Sequence, residues 1–140
     1  MKKRNLNDKV KVVGWIPHKN IPKYLNELKL LVVPSYTESG PLIAFETMAC
    51  GTLVLGSQVG MMSEILRDGK NGFALENNSP ESIAKNVLEI FIREDLDEVS
   101  WNARKTVEKK LTYDSALKGY KAVFSDLLMR NTFRMAKMRG

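Results

Sequence analysis

The chain has 140 residues, of which 44% are hydrophobic and 27% charged, and its formal net charge is +6 at pH 7. This length suits about one domain, and the composition is that of an ordinary globular protein. No apolar run approaches the roughly 20 residues that a membrane-spanning helix needs, and no apolar stretch follows the basic start, so no signal peptide is predicted. We expect a cytoplasmic protein. Its single cysteine, Cys50, fits a reducing compartment and is interpreted as a buried small hydrophobe.

The excess of positive charge lies at the two ends of the chain, at residues 2–4 and within 130–140. Two interpretations stay open. The ends could be solvated surface, or they could form an edge that attracts phosphate or faces an anionic membrane through residues 130–140. No aromatic RNA-binding signature and no zinc-finger spacing is present, so a nucleic-acid partner is not expected.

The first third of the chain predicts strand, helix and strand. Val10–Trp15 carries β-branched residues up to a glycine and predicts a strand. Asn20 is a candidate N-cap for a helix over Ile21–Lys29. Leu30–Val33 is continuously apolar, which is typical of a parallel strand covered on both faces.

The same alternation continues after Gly51. Strands are predicted at 53–55 and 73–75, and helices at 63–67, after the Ser79 cap, at 97–111, and from Asp114 onward. Strands that alternate with helices over short connections indicate an α/β fold with a mostly parallel sheet of about four strands.

The stretch from Glu38 to Glu46 carries the most specific chemistry. It leads from an apolar strand, through a turn of small residues, into a short helix that ends at Gly51. The start of a helix presents free backbone N–H groups, which accept anions. Two carboxylates frame this point and can accept hydrogen bonds from hydroxyl groups. The combination is suited to a sugar joined to a phosphate.

Several motifs, and their order along the chain, resemble the C-terminal, donor-binding domain of retaining GT-B glycosyltransferases of the group 1 family. The motifs are Gly14, Leu30–Ser35, the two glutamates with seven residues between them (the EX7E motif), Met48–Gly51, Val59–Gly60, Glu64–Ile65 and Asp68–Gly72. The resemblance runs from about Val10 to Phe124. It implies a Rossmann-like fold and an enzyme of carbohydrate biosynthesis, a hexosyltransferase, with residues 1–128 as a partial domain and 129–140 as a basic tail.

The resemblance also implies roles at the donor site. Glu46 would bind the ribose hydroxyls of a nucleotide diphosphate sugar. Glu38, the candidate catalytic residue, would bind the donated sugar and help to order the site. Residues 40–43 (Gly40, Pro41, Leu42 and Ile43) would approach the sugar and diphosphate, mainly through backbone amides that Pro41 lacks.

Gly14, Trp15 and Ile16 would lie near the base, although packing is an alternative role for Trp15. His18 is interpreted as a surface histidine, with a base or phosphate contact as the alternative. Met61 and Met62 occupy the family's glycine-rich loop. The donor is a substrate, and neither a cofactor nor a metal ion is expected.

In the family, an N-terminal domain supplies the acceptor site, and two cations at the start of the C-terminal domain neutralise the leaving diphosphate. This chain shows neither, so it is expected to be inactive without an N-terminal half. Three hypotheses stay open. The first is a transferase piece that needs a missing or separate N-terminal half, and the second is a non-catalytic nucleotide-sugar- or phosphate-binding module or subunit partner. The third is a degenerate interaction protein that keeps the fold without the ligand; self-association is a further option for its partners. The donor sugar, base and acceptor are left open.

Overall fold

A computed structural model gives the structure of the protein; it describes residues 8–137, with side chains up to residue 130. The predicted α/β class with a parallel sheet flanked by helices is confirmed. A 3-10 turn, His18–Asn20, precedes the regular elements. In chain order these are α1 Ile21–Glu27, β1 Leu30–Val33, α2 Leu42–Ala49, β2 Leu53–Ser57, α3 Met61–Ile65, β3 Phe73–Leu75, α4 Pro80–Phe91, α5 Leu96–Lys110 and α6 Tyr113–Lys137.

The sheet has three parallel strands in the order β1-β2-β3, with Leu30 opposite Leu53 and Leu55 opposite Phe73. All five residues of the central strand β2 are buried, whereas those of β1 are half-buried. Helices cover both faces, which is why the apolar runs are continuous. The carboxyl ends of all three strands therefore meet at one edge.

The prediction of a strand over Val10–Trp15 is wrong. The sheet of the described residues therefore has three strands and not about four. The segment forms no helix or strand, and Val12 and Trp15 are 91% and 85% exposed. Its β-branched residues favour an extended chain, but a strand also needs a neighbour for its backbone hydrogen bonds. None of the described residues supplies one.

Two hydrophobic clusters lie on opposite faces of the sheet. Neighbouring residues of β2 divide between them, as the two-residue period of a strand requires. Val54 belongs to the cluster beneath α2, α3 and α5, whose other buried members are Ala44, Phe45, Met48, Met62, Ile65, Leu66 and Ala103. Leu53 and Leu55 belong to the cluster of Phe73, Leu75, Ile90 and Val99. The α2 helix is thus fixed to the sheet along a fully buried face.

Helix ends differ from the predicted ones by a few residues. α1 ends at Glu27 because Leu28 is extended, and α3 begins two residues early, directly after Gly60. The Ser79 cap is confirmed, since its hydroxyl accepts a hydrogen bond of 3.1 Å from the Ser82 amide.

The last helix, α6, runs from Tyr113 to Lys137. Several large apolar side chains on it are exposed: Tyr113, Leu117, Tyr120, Val123, Phe124 and Leu127. Among the described helices, none has the length and hydrophobicity that crossing a bilayer requires.

Candidate functional site

The candidate site lies at the edge where the three parallel strands end. A cleft of about 370 Å³ follows the carboxyl ends of the strands. Within it, Ser57 Oγ donates to Asn78 Oδ1 at 2.7 Å, and Asn78 Nδ2 donates to the Ser35 carbonyl at 3.1 Å. These bonds link the carboxyl end of β2 to the segments that follow β1 and β3. Open parallel sheets commonly bind ligands at this edge.

The start of α2 presents backbone donors at the same edge. Pro41 is buried and precedes the first helical residue, Leu42. The first amides of a helix have no partner within it. The Ala44 amide donates to the Pro41 carbonyl at 2.9 Å. The amides of Leu42 and Ile43 are therefore among the donors available to a ligand in this part of the described chain.

The loop after β2 holds the loop that carries Glu38. The Met61 amide donates to the Ser39 carbonyl at 3.0 Å. Gly60 has a φ of +51°, and a Cβ there would collide with the carbonyl oxygens of Glu38 and Ser39. Only glycine combines this conformation with such a close approach. The Glu38 segment is therefore fixed from outside its own loop.

A larger cleft of about 500 Å³ lies between α2 and the corner where α5 meets α6. We call it the edge cleft. Its walls are mainly apolar, with one carboxylate, Glu46, and one ammonium group, Lys110. The residues that line it are Gly40, Leu42, Phe45, Glu46, Ala49, Met61, Val107, Lys110, Leu111, Thr112 and Ala116.

Glu46 lies in the wall between the edge cleft and a smaller apolar cavity of about 180 Å³, which Ile21, Leu25 and Cys50 help to line. The Glu46 side chain is 36% exposed, and its Oε1 lies 3.3 Å from Nε2 of His18. His18 is a surface side chain, as predicted, since it is 85% exposed. The sequence did not indicate that it would contact a site carboxylate.

Cys50 is half-buried rather than buried. Burial raises the pKa of its thiol, the nearby Glu46 carboxylate raises it further, and Arg104 acts in the opposite direction. A raised pKa disfavours the thiolate, which is the nucleophilic form. The structure therefore agrees with a structural role for this residue.

The predicted site residues divide into three groups. Gly40, Leu42 and Glu46 line the edge cleft. Glu38, Pro41 and Ile43 belong to the same loop and first turn, but they do not line this cleft. The third group, Gly14, Trp15 and Ile16, belongs to the segment that precedes α1 and does not line the cleft either. The described residues contain no group of three side chains that could hold a metal ion.

The sequence did not identify the far wall of the edge cleft. Lys110, Leu111 and Thr112 lie at the end of α5 and beyond it, more than sixty residues after Glu46. The sequence predicts a helix over residues 97–111, and the four-residue spacing of Val107 and Leu111 is typical of a packed helix face. It did not show that this face meets α2, and so Lys110 was not recognised as a cation of the site.

Comparisons with known proteins identify the fold and the family. The model of the family "Glycosyl transferases group 1" matches residues 1–106. An uncharacterized glycosyltransferase of Methanocaldococcus jannaschii is 30% identical over 125 residues, which cover 89% of this chain and 35% of that protein. The chain thus spans about a third of that relative's length.

Two solved structures have a similar fold. Sucrose-phosphate synthase from Thermosynechococcus elongatus has a TM-score of 0.79 and 27% identity, over 90% of this chain and 32% of that one. A mutant of S. aureus TarM, in complex with fondaparinux, α-GlcNAc-glycerol and UDP, has a TM-score of 0.73 and 27% identity, over 86% and 24% of the two chains.

The fold and these neighbours define the class as a GT-B glycosyltransferase domain. The extent of the match is that of a C-terminal domain. The chain belongs to the group 1 glycosyltransferase family.

Proposed function

We infer that the edge cleft binds a nucleotide diphosphate sugar, the donor of a retaining glycosyl transfer. The observation that carries this inference is that Glu46, Gly40 and Leu42, from the turn and helix that follow β1, line one cleft. Family membership supports it. So does TarM, a structural neighbour that was solved with UDP.

The chemistry of the cleft suits the parts of such a donor. Glu46 would accept hydrogen bonds from the ribose hydroxyls, because an ionised carboxylate binds paired donors strongly. The amides of Leu42 and Ile43 would face the diphosphate at the positive end of α2. Lys110 adds a cation to the wall, and Glu38 would contact the transferred sugar and help to order the site.

Turnover requires groups that this cleft does not offer. Enzymes commonly owe most of their rate enhancement to the stabilisation of charge that develops in the transition state. Lys110 is the one cation among the residues that line the cleft. We therefore propose that an N-terminal glycosyltransferase half, in the same or a separate chain, supplies the acceptor site and further cations. Alone, the 140 residues would bind the donor without efficient transfer.

One observation favours a second candidate function, a non-catalytic binding or subunit-interaction module. Among the described strands, β1 is an edge strand whose four residues are apolar, and Val12 and Trp15 are exposed in the segment that precedes α1. An apolar edge without charge or proline is a surface on which strands of another chain can pair. Such pairing could serve assembly without catalysis.

Donor binding is tested by titrating the protein with UDP-, GDP- and ADP-sugars. NMR records the shifts of the backbone amides of Gly14 and of the non-proline residues in 38–46. We expect shifts with one donor class, and an increase in Kd of about 10-fold or more in Glu46→Gln, because a charged acceptor is lost. The control is Glu64→Gln, an exposed site on α3 that does not line the edge cleft. Absence of shifts with all three donors would refute the proposal.

A second measurement separates the transferase piece from the non-catalytic module. The chain is mixed with the separately expressed N-terminal half of a group 1 relative, and sugar release from the donor that binds is recorded. Turnover that depends on both parts and falls in Glu38→Gln supports the transferase. Donor binding without turnover under any pairing supports the module.

A further inference from the structure

A groove of about 340 Å³ runs along the outer side of α5, between this helix and the turn that follows α3. We call it the basic groove. Five of the eight residues that line it are cationic and none is acidic. They are Arg67, Lys70, Asn71, Asn102, Lys105, Thr106, Lys109 and Lys110.

The carboxylates of the described residues do not neutralise these cations. Within the described side chains, no carboxylate lies within 4.0 Å of any of the five, whereas Arg104 on the next face of α5 pairs with Glu108 at 2.9 Å. The dipole of α5 favours Lys109 and Lys110 in its last turn. Arg67 Nη1 donates to the carbonyls of Ser63 and Leu66, at 3.1 and 3.0 Å, which fixes its position but does not cancel its charge. Lys70 and Lys105 lie outside the last turn of α5, and an external anion would relieve the repulsion among the cations of the groove.

Hydrogen bonds fix the floor of the groove and leave little for a small ligand. Asn71 is 6% exposed, and its Oδ1 accepts from the Arg67 amide at 2.7 Å. Its Nδ2 donates to the Ile65 carbonyl and to Thr106 Oγ1, each at 3.0 Å. Since the side chain of Asn71 is fully engaged, recognition falls to the cations on the rim. Such an arrangement fits an extended anionic surface better than a single enclosed anion.

An exposed tryptophan continues the row of cations along α5. Trp101, Lys105 and Lys109 follow one another at intervals of four residues and so lie on one side of the helix. Trp101 is 59% exposed, and Nζ of Lys105 lies 4.8 Å from its ring centroid. Indole rings beside lysines favour the boundary between the headgroups and acyl chains of a bilayer.

We propose that the basic groove and Trp101 bind the surface of a membrane that is rich in anionic phospholipids. Each cation close to such a surface contributes about 5-fold to the partition coefficient. Lys110 lines both the basic groove and the edge cleft, so this contact would place the opening of the edge cleft beside the lipid headgroups. The proposal does not depend on which ligand, if any, occupies the edge cleft.

The test is partitioning of the full chain onto vesicles of phosphatidylcholine alone or with phosphatidylglycerol. We expect binding only to the anionic vesicles, and weaker binding at high salt. The triple variant Lys70→Gln/Lys105→Gln/Lys109→Gln should partition roughly 10- to 100-fold less strongly. These residues were chosen because none of them lines the edge cleft.

The control triple variant, Lys11→Gln/Lys23→Gln/Lys85→Gln, has the same net charge but keeps the basic groove intact. It should lose less than about 5-fold, because general attraction between charges is screened beyond a Debye length. Circular dichroism melting of both variants checks that each remains folded. Equal losses in the two variants would overturn the proposal in favour of unspecific attraction.

Fluorescence locates the contact independently. Trp15 and Trp101 are the two tryptophans of the chain. In Trp15→Phe, the remaining emission of Trp101 should shift to the blue when anionic vesicles are added, whereas in Trp101→Phe the emission of Trp15 should not shift. A shift only at Trp15 would overturn the proposed orientation.

Two further results would refute the basic groove as a lipid site. The first is binding that is lost on truncation after Leu128 but kept in the groove variant, which would assign the contact to the basic tail. The second is binding to single-stranded RNA, lost in the groove variant, without binding to anionic vesicles. That result would indicate a nucleic-acid surface instead.

Discussion

Strand β2 and the segment Val10–Trp15 are both rich in apolar residues, but their environments differ completely. Every residue of β2 is buried between β1 and β3, whereas Val12 and Trp15 are exposed and form no strand. The difference lies in their neighbours and not in their side chains. β2 has a paired strand on each side, and the earlier segment has none among the described residues.

The glycines at the ends of the two regions, Gly60 and Gly14, also have different surroundings. The loop after β2 contains Gly60, which touches the backbone of the Glu38 segment, whereas Gly14 has no atom within 4 Å of where its Cβ would be. Both have a positive φ. The position of the candidate site is therefore determined by the packed side of the molecule, and the exposed segment contributes little to it.

The largest expected change in stability comes from truncating a side chain of β2, and the equivalent truncation in Val10–Trp15 is its comparison. Leu55→Ala should lower the free energy of unfolding by about 2–5 kcal/mol, because it leaves a cavity at a fully buried position. Val12→Ala should change it by less than about 0.5 kcal/mol. Urea unfolding of the two variants measures both values. A cost at Val12 comparable to that at Leu55 would mean that the first segment is packed in solution, and the contrast would not hold.

A smaller effect is expected at the two glycines. Gly60→Ala should cost about 2 kcal/mol or more, because a positive φ is combined with a collision against two carbonyl oxygens. Gly14→Ala has only the unfavourable φ and should cost about 1 kcal/mol. Thermal unfolding compares the two variants. NMR shifts at Glu38 and Ser39 should appear in Gly60→Ala only, and equal costs without such shifts would contradict the role assigned to Gly60.

The smallest change in stability is expected for the ion pair between Arg93 and Asp95, which lies beside β3. Arg93 lies 5.4 Å from the ring centroid of Phe73, and its Nε donates to Asp95 Oδ1 at 2.8 Å. This hydrogen bond lowers the pKa of Asp95. The resulting stabilisation is present above the ordinary pKa of an aspartate and is lost as the pH falls through the lowered value. Asp95→Asn should therefore be less stable than the wild type near neutral pH.

That difference should be small, because the ion pair is partly exposed, and it should disappear once the pH has fallen below the lowered pKa of Asp95. Urea unfolding at a series of pH values provides the measurement. A difference that persists unchanged at the lowest pH would show that Asp95 acts through something other than its charge.

Much of the fold could be predicted from local signals. The continuous apolar runs predicted parallel strands at β1 and β2, of which β2 is fully buried and β1 half-buried. The Ser79–Pro80 pair predicted the start of α4. The wrong strand at Val10–Trp15 had the same local signal. A run of β-branched residues indicates that a segment prefers an extended conformation. It does not indicate whether another strand is available to pair with it, because that depends on the rest of the structure.

The near wall of the edge cleft could also be predicted, and the far wall could not. Gly40, Leu42 and Glu46 are close in sequence and were grouped by their chemistry. Lys110 comes from a helix more than sixty residues away. Its place depends on how α5 packs against α2, which no motif encodes. The contact between His18 and Glu46 likewise depends on the packing of a loop.

Helix α2 forms a rigid wall of the edge cleft. Ala44, Thr47 and Met48 have no exposed surface, whereas Glu46 on the same helix lines the edge cleft. Moving this helix would disturb the packed core, so a ligand meets a wall that is already in place and loses little affinity to ordering it. Discrimination between ligands then falls to the side chains that can change rotamer, above all Met61, which is exposed and also lines the cleft.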